Sequence, residues 1–307
     1  MPITVVSAEP IEGQVRREVA IVSALSEHKV GQYVLLRLAD ENGRIGLGEA
    51  SVTAVWSGET QAGAIALVRE VLAPLVVGAD AFDTEWVLRR LDRAAFGNSF
   101  AKAAIEMALL DLQGKILDVP LYKLLGGREQ PPGNDRGVRL KFVVGAFEPE
   151  RAGQLARQMV QGGWRAIKVK VGRDPKADVD RLRAVRAAIG PDVFLSVDAN
   201  GGYTVEQAVW VAARLEKLEV ALFEQPTRRG DHAGMAEVRR RSGIPIMADE
   251  SCFTLLDALA IVRADVTNPP PLPRRSMTIA LLPLLTSSPR ALVNWVVAVS
   301  EKPLRPM

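Results

Sequence analysis

The sequence predicts two regions of different class, an α+β region at the N-terminus and an α/β region after it. Three observations carry that prediction. Residues 3–50 alternate apolar and polar side chains around the turn Asp40-Glu41-Asn42-Gly43, whose Asn-Gly pair accepts the positive φ of a tight hairpin. From Val138 onward, short apolar strands alternate with amphipathic helices, the signature of a parallel sheet covered by helices. No G-x-G-x-x-G or Walker phosphate loop occurs, so a β/α barrel is expected in place of an open doubly wound sheet.

In chain order, Gln32–Leu38 and Ile45–Ala50 form the hairpin strands, and two irregular loops, Ser23–Lys29 and Val55–Gln61, flank them. Helical spacing follows over 64–72, 84–91 and 99–117, the last with Ala104, Ile105, Ala108, Leu109 and Leu112 on one face. A short helix from Pro120 stops at Gly126-Gly127, and 128–137 reads as a linker. The α/β strands are expected at 140–144, 166–171, 193–198, 220–224 and 244–248, with helices near 150–162, 175–189, 204–217 and 231–241.

Composition removes several functions. Cys252 is the single cysteine, which excludes an internal disulfide and a cysteine metal cluster, and a small apolar side chain is its expected role. His28 and His232 are the only histidines, and no G-x-S-x-G elbow occurs, so a nucleophile–histidine pair has few ways to form. The net charge of +3 is concentrated after Val266, where five basic residues face one acid, and residues 1–266 carry a net −1. The body therefore lacks the basic footprint of a nucleic-acid binder. No basic, apolar leader opens the chain, so a cytoplasmic location is expected. Pro283, Pro289 and Arg290 interrupt the apolar stretch Ile279–Val299, so no membrane span is expected.

The chemistry centres on Ala166–Gly172. In a strand, residues i and i+2 share a face, so Lys168 and Lys170 point the same way, their Cα atoms about 7 Å apart. Two inward ammonium groups are costly unless acids or an anionic ligand compensate. The next three strands end in Asp198, Glu224 and Asp249, spaced by 26 and 25 residues, one acid per strand–helix repeat. Any one of them alone is as readily a helix cap or a surface ion pair. Three in register repel one another unless a cation sits among them, and an all-oxygen set favours Mg²⁺, then Mn²⁺. A dication on a substrate carboxylate stabilises the enolate formed when the adjacent carbon loses a proton, and a neighbouring lysine can take that proton. A second ammonium and the metal would lower the pKa of such a base.

With these residues in view, the chain resembles the enolase superfamily, and within it the muconate lactonizing enzyme subgroup. The matching segments are Lys168-Val169-Lys170, Asp198-Ala199-Asn200, Phe223-Glu224-Gln225-Pro226, Ala248-Asp249-Glu250-Ser251 and Gly97–Lys102, within about residues 3–266. The resemblance implies an N-terminal α+β capping domain over 1–130 and a modified TIM-type (β/α) barrel, here partial, over 138–266. It implies Mg²⁺ or Mn²⁺ held by Asp198, Glu224 and Asp249, with Asn200 and Glu250 behind them, Lys170 as the proton carrier and Lys168 as its electrostatic partner. Ser26, His28, Lys29 and Trp56 would lie on substrate-facing loops.

The activity so implied is a muconate-type cycloisomerase acting on a small carboxylate, with a place in aromatic-compound catabolism. Dipeptide epimerisation, N-acylamino acid racemisation and o-succinylbenzoate synthesis are the alternatives within the subgroup. Full-length members are expected to be homo-oligomers. The resemblance further implies a sixth strand with another lysine and a later strand ending in glutamate. Residues 267–307 instead hold eight prolines and no glycine. The expectation is a truncated or frameshifted barrel beyond about residue 266, and an inactive relic is the rival reading.

Overall fold

A computed structural model of the protein describes residues 1–14, 21–25, 27–28, 30–127 and 140–266, with Gln14, Ile21, Glu27 and His28 described by backbone alone. Ser26, Lys29, the expected linker at 128–137 and the expected aberrant tail at 267–307 lie outside the described residues. The described chain divides into two compact units, 1–14 with 30–127, and 21–28 with 140–266.

The first unit is an antiparallel sheet with helices. Strand β1 (Ile3–Gln14) is followed by the two-residue strands β2 (Ile21–Val22) and β3 (Glu27–His28), which belong to the second unit, and then by β4 (Val30–Asp40) and β5 (Ile45–Ser51). The sheet order is β1-β4-β5, with Ile11 opposite Tyr33 and Arg37 opposite Leu47. The expected hairpin turn is closed by Asp40, whose Oδ1 accepts from the backbone N–H groups of Asn42 at 2.9 Å and Arg44 at 2.8 Å. In β5 the alternation runs against simple hydrophobicity: Leu47 is exposed, while Gly46 and Gly48 face inward. The reason is a close helix. A Cβ on Gly46 would stand 2.1 Å from the Ala108 carbonyl oxygen, and one on Gly48 1.9 Å from that of Ala104.

The helices are α1 (Ala54–Ser57), α2 (Gln61–Leu67), which continues through a π turn at Val68–Leu72 into α3 (Ala73–Val76), then α4 (Thr84–Ala94), α5 (Ser99–Leu117) and α6 (Leu121–Leu124). The region expected to be one helix over 64–72 is thus a longer, locally wide one. Helix α5 has the expected bounds, and Ile105, Leu109 and Leu112 join Leu36, Leu38 and Leu72 in this unit's core.

The second unit alternates β6 (Phe142–Val144), α7 (Pro149–Gln161), β7 (Ala166–Lys170), α8 (Pro175–Ile189), β8 (Phe194–Asp198), α9 (Val205–Leu215), β9 (Leu222–Glu224), α10 (His232–Arg240), β10 (Ile246–Met247) and α11 (Leu255–Arg263). The strands are parallel and lie in chain order, β6 to β10, the order in which a β/α barrel adds its strands. The ladders are shorter than the apolar runs, because Val193, Val220 and Ile244 are buried just ahead of the paired segments. Ile167, Val169, Leu195, Val197 and Phe223 form the core with α7, α8 and α9. This is the N-terminal α+β, C-terminal TIM-type α/β fold expected from sequence, with five parallel strands among the described residues. The ribbon of β2 and β3 groups with this unit and not with the first, since the Ala146 N–H donates to the Val22 carbonyl at 2.7 Å. No described helix is long and apolar enough to cross a membrane.

Candidate active site

The register of the parallel sheet builds the site. Lys170 pairs with Asp198, Asp198 with Glu224, and Glu224 with Met247, so the lysine and two acids form one row across three strands, which Met247 continues on the fourth. Paired residues in a parallel sheet share a face, and Lys168 lies one pleat below on the same face. Asp249 follows two residues after Met247. One carboxylate oxygen each from Asp198, Glu224 and Asp249 lies within 4.8 Å of the other two.

The lysines are held by those acids. Lys168 Nζ donates to Glu224 Oε1 at 2.8 Å and pairs with Asp198 Oδ2 at 3.0 Å. Lys170 Nζ donates to Asp198 Oδ2 at 2.6 Å and to Asn200 Oδ1 at 2.9 Å. Asn200 takes a left-handed φ of 45°, which turns its backbone N–H back onto Asp198 Oδ1 at 2.9 Å, and its Nδ2 donates to Glu250 Oε1 at 2.6 Å. Asn200 thereby links base, ligand strand and Glu250 in one chain of hydrogen bonds.

Burial and charge divide these groups. Burial opposes the Lys168 ammonium, but Asp198 and Glu224 outweigh it and hold this lysine above its ordinary range. Burial likewise opposes the Asp198 charge, yet Lys170 and Lys168 prevail and bring that carboxyl to about 2. Glu224 is pushed up to about 7, first by burial and then by the Asp198 charge. Asp249 rises to about 6 through burial and the charges of Glu250 and Asp198. Such separation of neighbouring carboxyl groups marks a site built for a cation.

The donor set fits a hard divalent ion. Around Mg²⁺, with ligand distances near 2.1 Å, neighbouring oxygens stand about 3 Å apart, within reach of these three carboxylates by side-chain adjustment. Glu224 Oε2 is buried and makes no hydrogen bond among the described residues, leaving a carboxylate oxygen free to coordinate.

Three supporting residues were not distinguished by sequence reasoning. Gln225, with a φ of 36°, brackets the two ligand strands: its Oε1 accepts from the Asp249 N–H at 2.9 Å and its Nε2 donates to Ser251 Oγ at 2.8 Å. Asp178, early in α8, is fully buried. Lys141 precedes β6 on the face shared by Val143 and Lys168, half-buried and without a hydrogen bond or ion pair to a described residue. Burial, and then Lys168, depress its ammonium. The i, i+2 rule applied to the first strand would have found it.

Of the expected substrate-loop residues, the His28 backbone pairs with Ile21 in the β2–β3 ribbon. That ribbon's loop reaches the ligand-strand ends, since a Cβ on Gly202 would stand 2.9 Å from the Ala24 Cβ. Trp56 lies in the first unit, on α1, edge-on to Phe100 with ring centroids 5.5 Å apart.

Comparison with known proteins agrees with this geometry. Residues 7–126 match the mandelate racemase / muconate lactonizing enzyme N-terminal domain, and residues 151–269 match the enolase C-terminal domain-like family. The chain is 33% identical over 231 residues to an L-Ala-D/L-Glu epimerase of Clostridium acetobutylicum, covering 75% of this chain and 63% of that protein. It is 36% identical over 235 residues to a chloromuconate cycloisomerase of Cupriavidus pinatubonensis, covering 75% of this chain and 62% of that one. Among solved structures, a dipeptide epimerase of Cytophaga hutchinsonii complexed with Mg and D-Ala-L-Val superposes with a TM-score of 0.81 at 31% identity, over 87% of this chain and 70% of that one. The chain thus spans somewhat under two thirds of the length of the first of these relatives.

Proposed function

The chain belongs to the enolase superfamily, and we propose that within it the protein is a metal-dependent epimerase acting at the carbon next to the carboxylate of a dipeptide. This replaces the muconate-type expectation, because dipeptide epimerases stand among the similar sequences and structures with substrates of that class. The observation that carries the reading is the row Lys170–Asp198–Glu224, with a lysine at hydrogen-bond distance from a carboxylate of the candidate metal set.

In this reading Asp198, Glu224 and Asp249 hold Mg²⁺ or Mn²⁺, and Asn200 and Glu250 orient the set from behind. When bound, the ion supplies the positive charge that a substrate carboxylate and its enolate need. Lys170, in its neutral form, takes the proton from the adjacent carbon and can return it. Lys168 stays charged and compensates the carboxylates, so it does not compete as a base. In this reading the identities of Ser26, His28, Lys29 and Trp56 set the substrate class. Removal of the proton needs only Lys170, whereas inversion needs a donor on the opposite face. The resemblance assigns that donor to a sixth-strand lysine, which has no counterpart within the matching residues 3–266.

The test follows from this division. In D₂O with Mg²⁺, L-Ala-L-Glu and a panel of other dipeptides should exchange the α-proton beside the carboxylate, followed by NMR or mass spectrometry. Lys170→Ala should lower exchange by at least about 1000-fold, as expected when a general base is removed from a preorganised site. Exchange that survives in Lys170→Ala rejects that lysine as the base. The similarity to a chloromuconate cycloisomerase favours a second reading, for which lactone closure of a muconate in the same assay is the discriminating result.

A further inference from the structure

We propose that Asp178 is a positioning residue for the base: with Arg181 and Tyr203 it fixes the backbone at the end of β7, and so the place of the Lys170 ammonium beside Asp198. The proposal rests on the assignment of Lys170 as the proton carrier.

Strand β7 ends at Lys170 and the chain turns through Gly172, at a φ of 95°. Asp178 sits in the first turn of α8 and directs one oxygen into that turn. Its Oδ2 accepts from the backbone N–H groups of Gly172 at 2.9 Å, Arg173 at 3.0 Å and Asp174 at 3.2 Å, and from Tyr203 Oη at 2.6 Å. Its Oδ1 accepts from Arg181 Nη1. The same guanidinium donates to the carbonyl oxygens of Lys170, at 3.4 Å, and of Phe147. One carboxylate–guanidinium pair therefore joins the chain after β6, the end of β7 and the chain after β8.

The turn it holds leans on the ligand strand. A Cβ on Gly172 would stand 2.2 Å from the carbonyl oxygen of Ala199, the residue after Asp198, and one on Gly202 would stand 2.0 Å from the Gly172 carbonyl oxygen. A shift of this turn carries Lys170 with it. The ion pair by itself gives little reason for the arrangement, since a buried pair often contributes no more than an apolar group of similar volume. Its distinct effect is geometric, because five hydrogen bonds converging on one carboxylate leave the strand end a single position.

The test uses the full chain, with Asp178→Asn and Tyr203→Phe. For exchange of L-Ala-L-Glu in D₂O with Mg²⁺, Asp178→Asn should lower kcat roughly 10- to 100-fold, the effect of a small misplacement of a reacting group. KM and the Mg²⁺ dissociation constant should stay within about twofold, since ground-state binding is untouched. The ¹³Cε resonance of Lys170, assigned by its loss in Lys170→Arg, should move in Asp178→Asn and, by less, in Tyr203→Phe.

A purely structural role would lower the melting temperature and leave kcat of the folded protein and the Lys170 resonance where they were; that result overturns the proposal. If the wild-type protein exchanges no dipeptide, the functional reading falls. The resonance then decides the positioning role alone: a shift in Asp178→Asn sustains it, and an unmoved signal overturns it. If Asp178→Asn does not fold, the same two measurements on Tyr203→Phe decide, with a few-fold loss of kcat and a moved resonance as the sustaining result.

Discussion

Lys168 and Lys170 are two residues apart, yet the structure gives them different duties. Lys168 lies against both Asp198 and Glu224 and is kept charged, while Lys170 has a single carboxylate and the Asn200 amide oxygen. The acids carry a pH signature. In Mg²⁺-free protein, Glu224 and Asp249, raised to about 7 and 6, bind protons more tightly folded than unfolded. Between their unfolded values near 4 and these folded ones, the native state holds more protons, so stability falls as pH rises. Asp198, depressed to about 2, acts oppositely, but its contribution is lost only as pH falls from about 4 toward 2. Urea midpoints measured with EDTA should therefore decline from pH 5 to pH 8, by an amount on the order of 1–3 kcal/mol, and excess Mg²⁺ should abolish the decline. A midpoint that climbs with pH in EDTA would contradict the charge assignments. At this scale the grouping of Lys168, Lys170, Asp198, Glu224 and Asp249 was legible, because strand alternation and strand-end spacing are local properties of the chain. Gln225 was not, because its partners Asp249 and Ser251 stand across strands that only the sheet register brings together, and the Tyr203 contact of Asp178 was hidden for the same reason.

Helix α5 shows why elements are less legible than their hydrophobic faces. Its bounds and its apolar stripe follow from sequence spacing, but its N-terminus does not. Asn98 precedes it with a left-handed φ of 52°, makes no capping hydrogen bond, and spends its side-chain amide on the Phe96 carbonyl. The cap comes from Glu59, whose buried carboxylate accepts from the N–H groups of Phe100 at 2.9 Å and Ala101 at 3.1 Å. That bond set also ties the segment after α1, the helix bearing Trp56, to the helix against which Trp56 packs. Glu59→Gln keeps the shape but turns an amide toward two donors, leaving one of them unpaired. It should cost about 1–3 kcal/mol in chemical denaturation, the range for an unsatisfied buried polar group. A loss under about 0.5 kcal/mol would place the cap elsewhere. The same limit on local reading explains β5, where Gly46 and Gly48 resemble weak strand residues until the approach of α5 makes side chains there impossible. It also explains the short ladders of β9 and β10, since apolar runs record burial and not the extent of pairing.

Over the whole molecule, the change of periodicity near residue 138, from hairpin and helices to a strand–helix repeat, separates the residues of the two largest buried clusters, which share no member. The parallel order of the second unit was legible once the missing phosphate loop favoured a barrel, in which each repeat adds its strand beside the last. The proposed strand-end ligands would couple that order to stability. Asp198, Glu224 and Asp249 come from three successive repeats, so an ion among them joins segments spread over more than 50 residues of chain. The ion binds only the assembled arrangement, and at 100 times its dissociation constant it should stabilise that unit by about 2.7 kcal/mol. The backbone N–H groups of Val171, Ala199 and Gln225 donate to Asp198, Glu224 and Met247 respectively, one strand to the next along the ligand row. Their exchange with solvent, where it proceeds by opening of the unit, should slow about 100-fold on addition of Mg²⁺, read by hydrogen–deuterium exchange. Asp249→Asn should remove most of that slowing while leaving the ion-free rates close to wild type, because Asp249 contributes a carboxylate to the ion and only its backbone N–H to the Gln225 bracket. Unchanged protection at these three amides in saturating Mg²⁺ would mean that the three repeats are not joined through an ion, and the functional reading would lose its metal.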